Sequence, residues 1–137
     1  MLTYNVNYLP IISSAVVGFV LSFIWWGPIF GKTWSRLVGM TDKDMKKAKE
    51  KGMVVPMIVA SIGSLLMAYV LSILLTSTGI ATIGAALSLA FFVWLGFVAP
   101  IAIGSVLWEN KPMSLFWLNS LGWLVVLLAM AVTIVMF

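Results

Sequence analysis

The sequence has no cysteine and no histidine. Disulfides, thiol nucleophiles, imidazole acid–base steps and metal ligation by those two residues are therefore excluded. Charge is nearly as scarce. Only 9% of the 137 residues are charged and 63% are hydrophobic, against about 25% and about 45–50% in soluble domains. Eight basic and four acidic side chains cannot cover a water-soluble surface of this size. The expected solvent for most of the chain is lipid, and the formal net charge of +4 has to be read by position.

Residues 1–31, 52–108 and 112–137 contain no charged side chain. A bilayer core about 30 Å thick takes roughly 20 apolar residues as a helix. The first run supplies one span at 9–26 and the last supplies another at 114–136. The middle run is long enough for two spans, 54–76 and 80–108, with the break at Thr76-Ser77-Thr78-Gly79. The expected fold class is all-α: a polytopic integral membrane protein, one membrane domain over 1–137, with four transmembrane helices in an up-down bundle. A membrane β-barrel needs short segments of alternating polarity. Continuous runs such as Leu124 to Val132 exclude it. Residues 1–9 hold no Lys or Arg and the first span has full membrane length, so it reads as a retained helix and not a removable signal peptide.

Seven of the eight basic residues lie in the loop 27–53, and the eighth, Lys111, lies between spans three and four. The positive-inside rule then places both charged loops in the cytoplasm and both termini outside. Within loop one, Thr41 is a candidate N-cap with Asp42 and Asp44 in the first turn of a short surface helix. That helix runs to about Lys51, with Gly52 as its stop. Lys43, Lys46, Lys47 and Lys51 dominate its surface, which suits anionic lipid headgroups; a solvated, topology-setting loop is the other reading. Nothing points to nucleic acid.

Between helices in lipid, close approach of small residues matters more than hydrophobic drive. Such residues recur at every fourth position: Ser14, Gly18, Ser22 in span one; Ala60, Ser64, Ala68, Ser72, leading to Thr76, in span two; Gly96, Pro100, Gly104 in span three. These columns are expected to form the bundle interior. Span four offers two bulkier rows, Leu118-Gly122-Val126-Met130 and Leu121-Val125-Ala129-Thr133. Pro100 deletes a backbone hydrogen bond to Gly96 and predicts a kink or local unwinding. Trp25, Trp26, Trp34, Trp108 and Trp117 map near the charged end as an aromatic belt, with Tyr4 and Tyr8 near the other end. Tyr69, Trp94 and Trp123 lie deeper, where their polar groups need partners such as Asn119. They are candidates for a shared aromatic cavity.

Gly27 to Thr33 resembles a phosphate loop only superficially. Three residues, not four, separate its glycines, and a membrane helix precedes it where a strand is required. Glu109 is the one carboxylate near a span, and a carboxylate there is a functional candidate by default. Its place beside Trp108 and Lys111 suits an interfacial pair or a gate, with Pro100 and Gly96 as the flexible element. Catalytic parts are missing. No histidine activates the span serines, every lysine is confined to a loop, and the loop carboxylates form no recognisable metal site. The expectation is a non-enzyme without a cofactor.

Trp25-Trp26-Gly27-Pro28-Ile29-Phe30-Gly31-Lys32-Thr33-Trp34 followed by Leu37-Val38-Gly39 resembles the end of the first helix in the bacterial membrane family called domain of unknown function 1761. Trp26 stands where that family typically has Tyr. Trp94 to Pro100 is a second matching block, and Glu109-Asn110-Lys111-Pro112 with Asn119 is a third. The resemblance spans essentially the whole chain and implies four helices, a bacterial cytoplasmic membrane and no assigned activity. Two functions arise as expectations. The first is a non-catalytic accessory or scaffold subunit, packing with itself or a larger membrane complex. The alternative is a carrier or binding protein for a small uncharged or apolar molecule, working through the kinked third span.

Overall fold

The computed structural model describes residues 2–137, and these are helical with no strand. Four helical stretches are long and apolar enough to cross a membrane: Tyr8–Ile29, Val54–Ser77, Ile83–Leu107 and Met113–Met136. Span one is α1 (Tyr8–Ile24) continued by a π-helical turn, Trp25–Ile29. Two short helices come next, α2 (Gly31–Val38) and α3 (Asp42–Lys51). Span two is α4 (Val54–Ser77). Span three is α5 (Ile83–Val93), a second π-helical turn at Trp94–Val98, then α6 (Ala99–Ala102) and α7 (Gly104–Leu107). Span four is α8 (Met113–Met136).

The spans alternate in direction. Thr3 donates its backbone N–H to Ser77 Oγ, which brings the start of α1 to the end of α4. Gly18 approaches Met130 while Trp25 reaches Leu118, so α1 and α8 run opposite ways. Lys111 Nζ bonds the Val38 carbonyl at 2.8 Å, which gathers both charged segments at one end of the bundle. The α4–α5 break falls after Ser77, where Gly79 takes a φ of 70°. Span three then begins at Ile83 and not at 80, because Thr82 caps it by accepting the Ala85 N–H.

Pro28 in span one and Pro100 in span three are each absorbed by a π-helical turn. A proline leaves one carbonyl of the preceding turn without its usual donor. Inserting one residue shifts the ladder past the defect. In span one, Phe30 N–H bonds the Trp25 carbonyl at 3.0 Å, five residues back, around Pro28. In span three, Ala99 N–H bonds Trp94 in the same way just before Pro100. The unwinding expected at Pro100 is present, and Pro28 has a matching one that the sequence pattern did not predict.

α8 is the central helix, packed along its length on α1 and α5, and α1 also packs on α4. The core (Ile11, Ala15, Leu71, Leu75, Ala86, Ala90, Val126, Leu127 and Met130 among others) sits toward the uncharged end. Ser14 and Gly18 are buried and Ser22 half-buried, so the column of span one faces inward. Of the α4 column only Ala68 and Ser72 are buried, Ser64 is half-buried, and Ala60 and Thr76 face outward. The third column requires correction. Gly96 and Pro100 are exposed, with open space where a Gly96 Cβ would stand. Ala86, Ala90 and Trp94 take the seam instead. Four-residue spacing identifies rows, but the row chosen is the one whose small side chains leave room for the bulky α8 row Leu118, Gly122, Val126 and Met130, all buried. Leu121 and Val125 face outward.

Loop one holds two helices where one was expected. α2 turns Trp34, Leu37 and Val38 partly inward and Lys32 and Arg36 outward, and Gly39 (φ 87°) ends it. α3 has the boundaries read from sequence, and every side chain on it is exposed, Lys43, Lys46, Lys47 and Lys51 included. Its cap is reciprocal. Asp44 N–H donates to Thr41 Oγ1 at 3.2 Å, and Thr41 N–H donates to the Asp44 carboxylate at 3.0 Å. The Thr41 backbone N–H, then its side chain, hold the Asp44 carboxyl below its ordinary value. A depressed folded value means the contribution is present above the unfolded value and lost as pH falls through the folded one. Acid titration tracked by NMR is therefore expected to fray α3 below the ordinary aspartate range while the spans persist. Asp44→Asn is expected to remove that pH dependence.

Candidate functional site

Trp25 and Trp26, expected in an outward belt, are both half-buried. The π-helical turn at the end of span one directs both toward α8. Trp25 Nε1 donates to the Leu118 carbonyl at 3.0 Å, and Trp26 Nε1 donates to Asn119 Oδ1 at 2.8 Å. From the other side, Trp94 Nε1 donates to the Ser120 carbonyl. Three indole N–H groups thus land on three successive residues of one helix. The Leu118 and Ser120 carbonyls lie within the α8 ladder, and the second lone pair of a carbonyl oxygen permits such a shared acceptor. Ser120 Oγ in turn donates to the Phe116 carbonyl.

Gly122 is what lets the indoles in. A Cβ there would stand 2.6 Å from Trp25 Nε1 and 2.8 Å from the Trp26 ring. Trp26 also packs on Trp123 with ring centroids 5.0 Å apart, and Trp25 packs on Phe30 at 4.6 Å. Indoles are rigid, so the helix surface must be hollow at that point.

The segment Glu109-Asn110-Lys111-Pro112 is a turn in which three residues have structural work. Asn110 adopts the left-handed conformation (φ 56°), and Lys111 N–H closes back to the Ser105 carbonyl at 3.0 Å. The Lys111 ammonium caps the carbonyl of Val38, the last residue of α2, where a cation is favoured. Pro112 precedes α8 in an extended conformation that suits a helix start. Glu109 is left over. It makes no hydrogen bond or ion pair with the other described residues, and its expected partner Lys111 is engaged elsewhere.

Glu109 lies on a cleft of about 1000 Å³. The cleft lies between the end of span one, the second half of span three and α8, and of α4 only Met67 reaches it. α4 and the second half of span three scarcely touch, and Val54 to Ile62 face outward along α4. Four tryptophans line it: Trp26, Trp34, Trp108 and Trp123. Met67, Phe97 and Ile101 add apolar wall, and Ser105, Glu109 and Asn119 supply the polar groups. A concave apolar site with few convergent polar groups is the usual form of a small-molecule site. A smaller hollow of about 460 Å³ between α5 and α8 is walled by Leu87, Val125, Leu128 and other apolar residues. Its one hydroxyl, Thr133, already donates to the Ala129 carbonyl.

Among the residues expected to form a gate or a deep aromatic cavity, Trp123, Asn119 and Glu109 meet at the large cleft. The rest do not. Trp94 is buried against Ser120, and Tyr69 is exposed on α4 with its hydroxyl donating to the Tyr4 carbonyl at 3.4 Å. The three deep aromatics therefore share no cavity. Gly96 and Pro100 face outward, and Lys111 turns to α2. Trp26 and Trp34, read as belt residues, are half-buried cleft walls, and Trp108 lines the cleft while staying largely exposed, as a belt residue would be. The adjacency of Trp25 and Trp26 before Gly-Pro was the signal available for the first of them.

The family described as "Protein of unknown function (DUF1761)" matches residues 9–135, nearly the whole chain, and the chain belongs to it. No protein of curated function and no solved structure matches it.

Gly122→Ala is expected to destabilise the fold by about 1–3 kcal/mol through overpacking against the two indoles. Trp25→Phe, which removes one N–H donor, is expected to cost about 0.5–1.5 kcal/mol. Thermal unfolding in detergent checks both. A Gly122→Ala protein as stable as the parent would show that the indoles are not wedged there.

Proposed function

We propose that this DUF1761 member is a non-catalytic integral membrane protein whose cleft binds a small, largely apolar molecule entering from the bilayer. One observation carries the reading: a tryptophan-walled cleft of about 1000 Å³ among the spans, with a single unengaged carboxylate at its rim. A lateral gap between spans two and three suits a ligand that arrives dissolved in lipid. The four apolar stretches support insertion, the family resemblance implies a bacterial cytoplasmic membrane, and the location of the basic residues supports both charged segments in the cytoplasm and both termini outside. The exposed lysines of α3 then rest over anionic headgroups. No cofactor and no nucleic acid enters this reading.

An accessory or scaffold subunit, self-associating or held in a larger complex, is the second reading. The outward apolar half of α4 favours it, since a partner helix could cover Val54 to Ile62. Native mass spectrometry from a mild detergent separates the two. A monomer retaining one apolar ligand is the expected result, and Ala102→Phe, which fills the cleft wall, is expected to release it. A ligand-free oligomer would favour the subunit instead.

Orientation is tested on a chain that lacks cysteine. A membrane-impermeant thiol reagent applied outside intact cells is expected to label Thr78→Cys and to spare Lys47→Cys. The reverse pattern would overturn the orientation.

A further inference from the structure

We infer that the polar end of the cleft ligand is an organic cation: an amine or quaternary ammonium, or a comparable onium group, on an apolar body. This deepens the cleft-binding reading and rests on it.

The charge distribution is the first argument. The chain carries eight basic and four acidic side chains, and all of them lie toward one end of the bundle. A cleft opening at that end would by chance be walled by lysine or arginine. It is not: of the charged residues only Glu109 lines it. Lys111, two residues away, is drawn off to the Val38 carbonyl, and Lys32 and Arg36 on α2 face outward while Trp34 between them faces the cleft. The arrangement removes positive charge from a site surrounded by it.

The walls are the second argument. Indole presents the most negative ring face of the aromatic side chains, and a desolvated cation over it is attracted electrostatically. Four of the seven tryptophans line this one cleft. The Trp26 N–H is committed to Asn119 Oδ1, so that ring brings no free donor to the cleft. An anionic ligand would meet the Glu109 carboxylate with no cation among the lining residues to receive it. A neutral apolar ligand would gain nothing from Glu109.

Tetraphenylphosphonium, tetraphenylborate and triphenylphosphine oxide test this with similar shapes and charges of +1, −1 and zero. Binding to the intact protein in neutral maltoside detergent is read by tryptophan quenching, with Trp123→Phe reporting whether the signal comes from the cleft. The phosphonium is expected to bind about tenfold more tightly than the neutral oxide, and the borate weakest. Glu109→Gln is expected to bring the phosphonium and the oxide to within about threefold of each other while leaving thermal stability unchanged. Equal binding of all three probes, or a preference untouched by Glu109→Gln, overturns the cationic assignment and leaves the cleft reading standing. No Trp123-dependent binding of any probe overturns both. Either natural source of such a cation fits the chemistry. Displacement of the phosphonium by phosphatidylcholine but not by phosphatidylglycerol assigns a lipid headgroup, and displacement by neither assigns a free amphiphile.

Discussion

Three tryptophan side chains hydrogen-bonded to one turn of α8 fix the relation of three spans. Trp25 and Trp26 come from the end of span one and Trp94 from the middle of span three, and their N–H groups meet Leu118, Asn119 and Ser120. In apolar surroundings a hydrogen-bond donor without a partner is costly, so these contacts select one rotation of each helix among many of similar packing. Gly122 makes the approach sterically possible, and Gly18 does the same farther along, where a Cβ would stand 2.6 Å from Met130 Sδ. Span two contributes no donor to this hub. It packs on α1, its buried residues lie only between Ala68 and Leu75, and its charged-end half from Val54 to Ile62 faces outward beside the cleft.

The two prolines belong to the same device. Each lies at or just beyond a π-helical turn that begins with tryptophan and has glycine two residues on: Trp25-Trp26-Gly27 and Trp94-Leu95-Gly96. The extra residue in such a turn rotates the helix on its N-terminal side relative to the helix on its C-terminal side. The indole at the start of each turn is thereby aimed at α8 while the proline and its neighbours remain on the outward side. A helix break that would be read as a functional hinge in isolation here positions an anchoring side chain.

Much of this was legible in the residues themselves. Glu109 could be singled out because it stands alone among uncharged spans. The α3 boundaries come from Thr41, Asp44 and Gly52, since capping and stopping are local events. The outward placement of Gly96 and Pro100, and the inward turn of Trp26 and Trp34, were not legible. Small residues suit both a helix seam and a lipid-facing surface, and tryptophan suits both an interfacial belt and a cavity wall. The same composition therefore fits opposite orientations.

The sequence by itself determined the elements: four apolar stretches, their number and lengths, the gathering of charge into two segments, and the family. Those properties rest on runs and caps, which are decided within a few residues of each position. Only the tertiary structure decided which face of each helix is buried, that α8 is central, and that four tryptophans and one carboxylate bound a common cleft. Helix rotation in a uniformly apolar chain is set by a few polar contacts and close approaches between residues as far apart as Trp25 and Leu118. No local pattern encodes that pairing, because hydrophobic periodicity, the usual guide to a buried face, is nearly absent where every face is apolar.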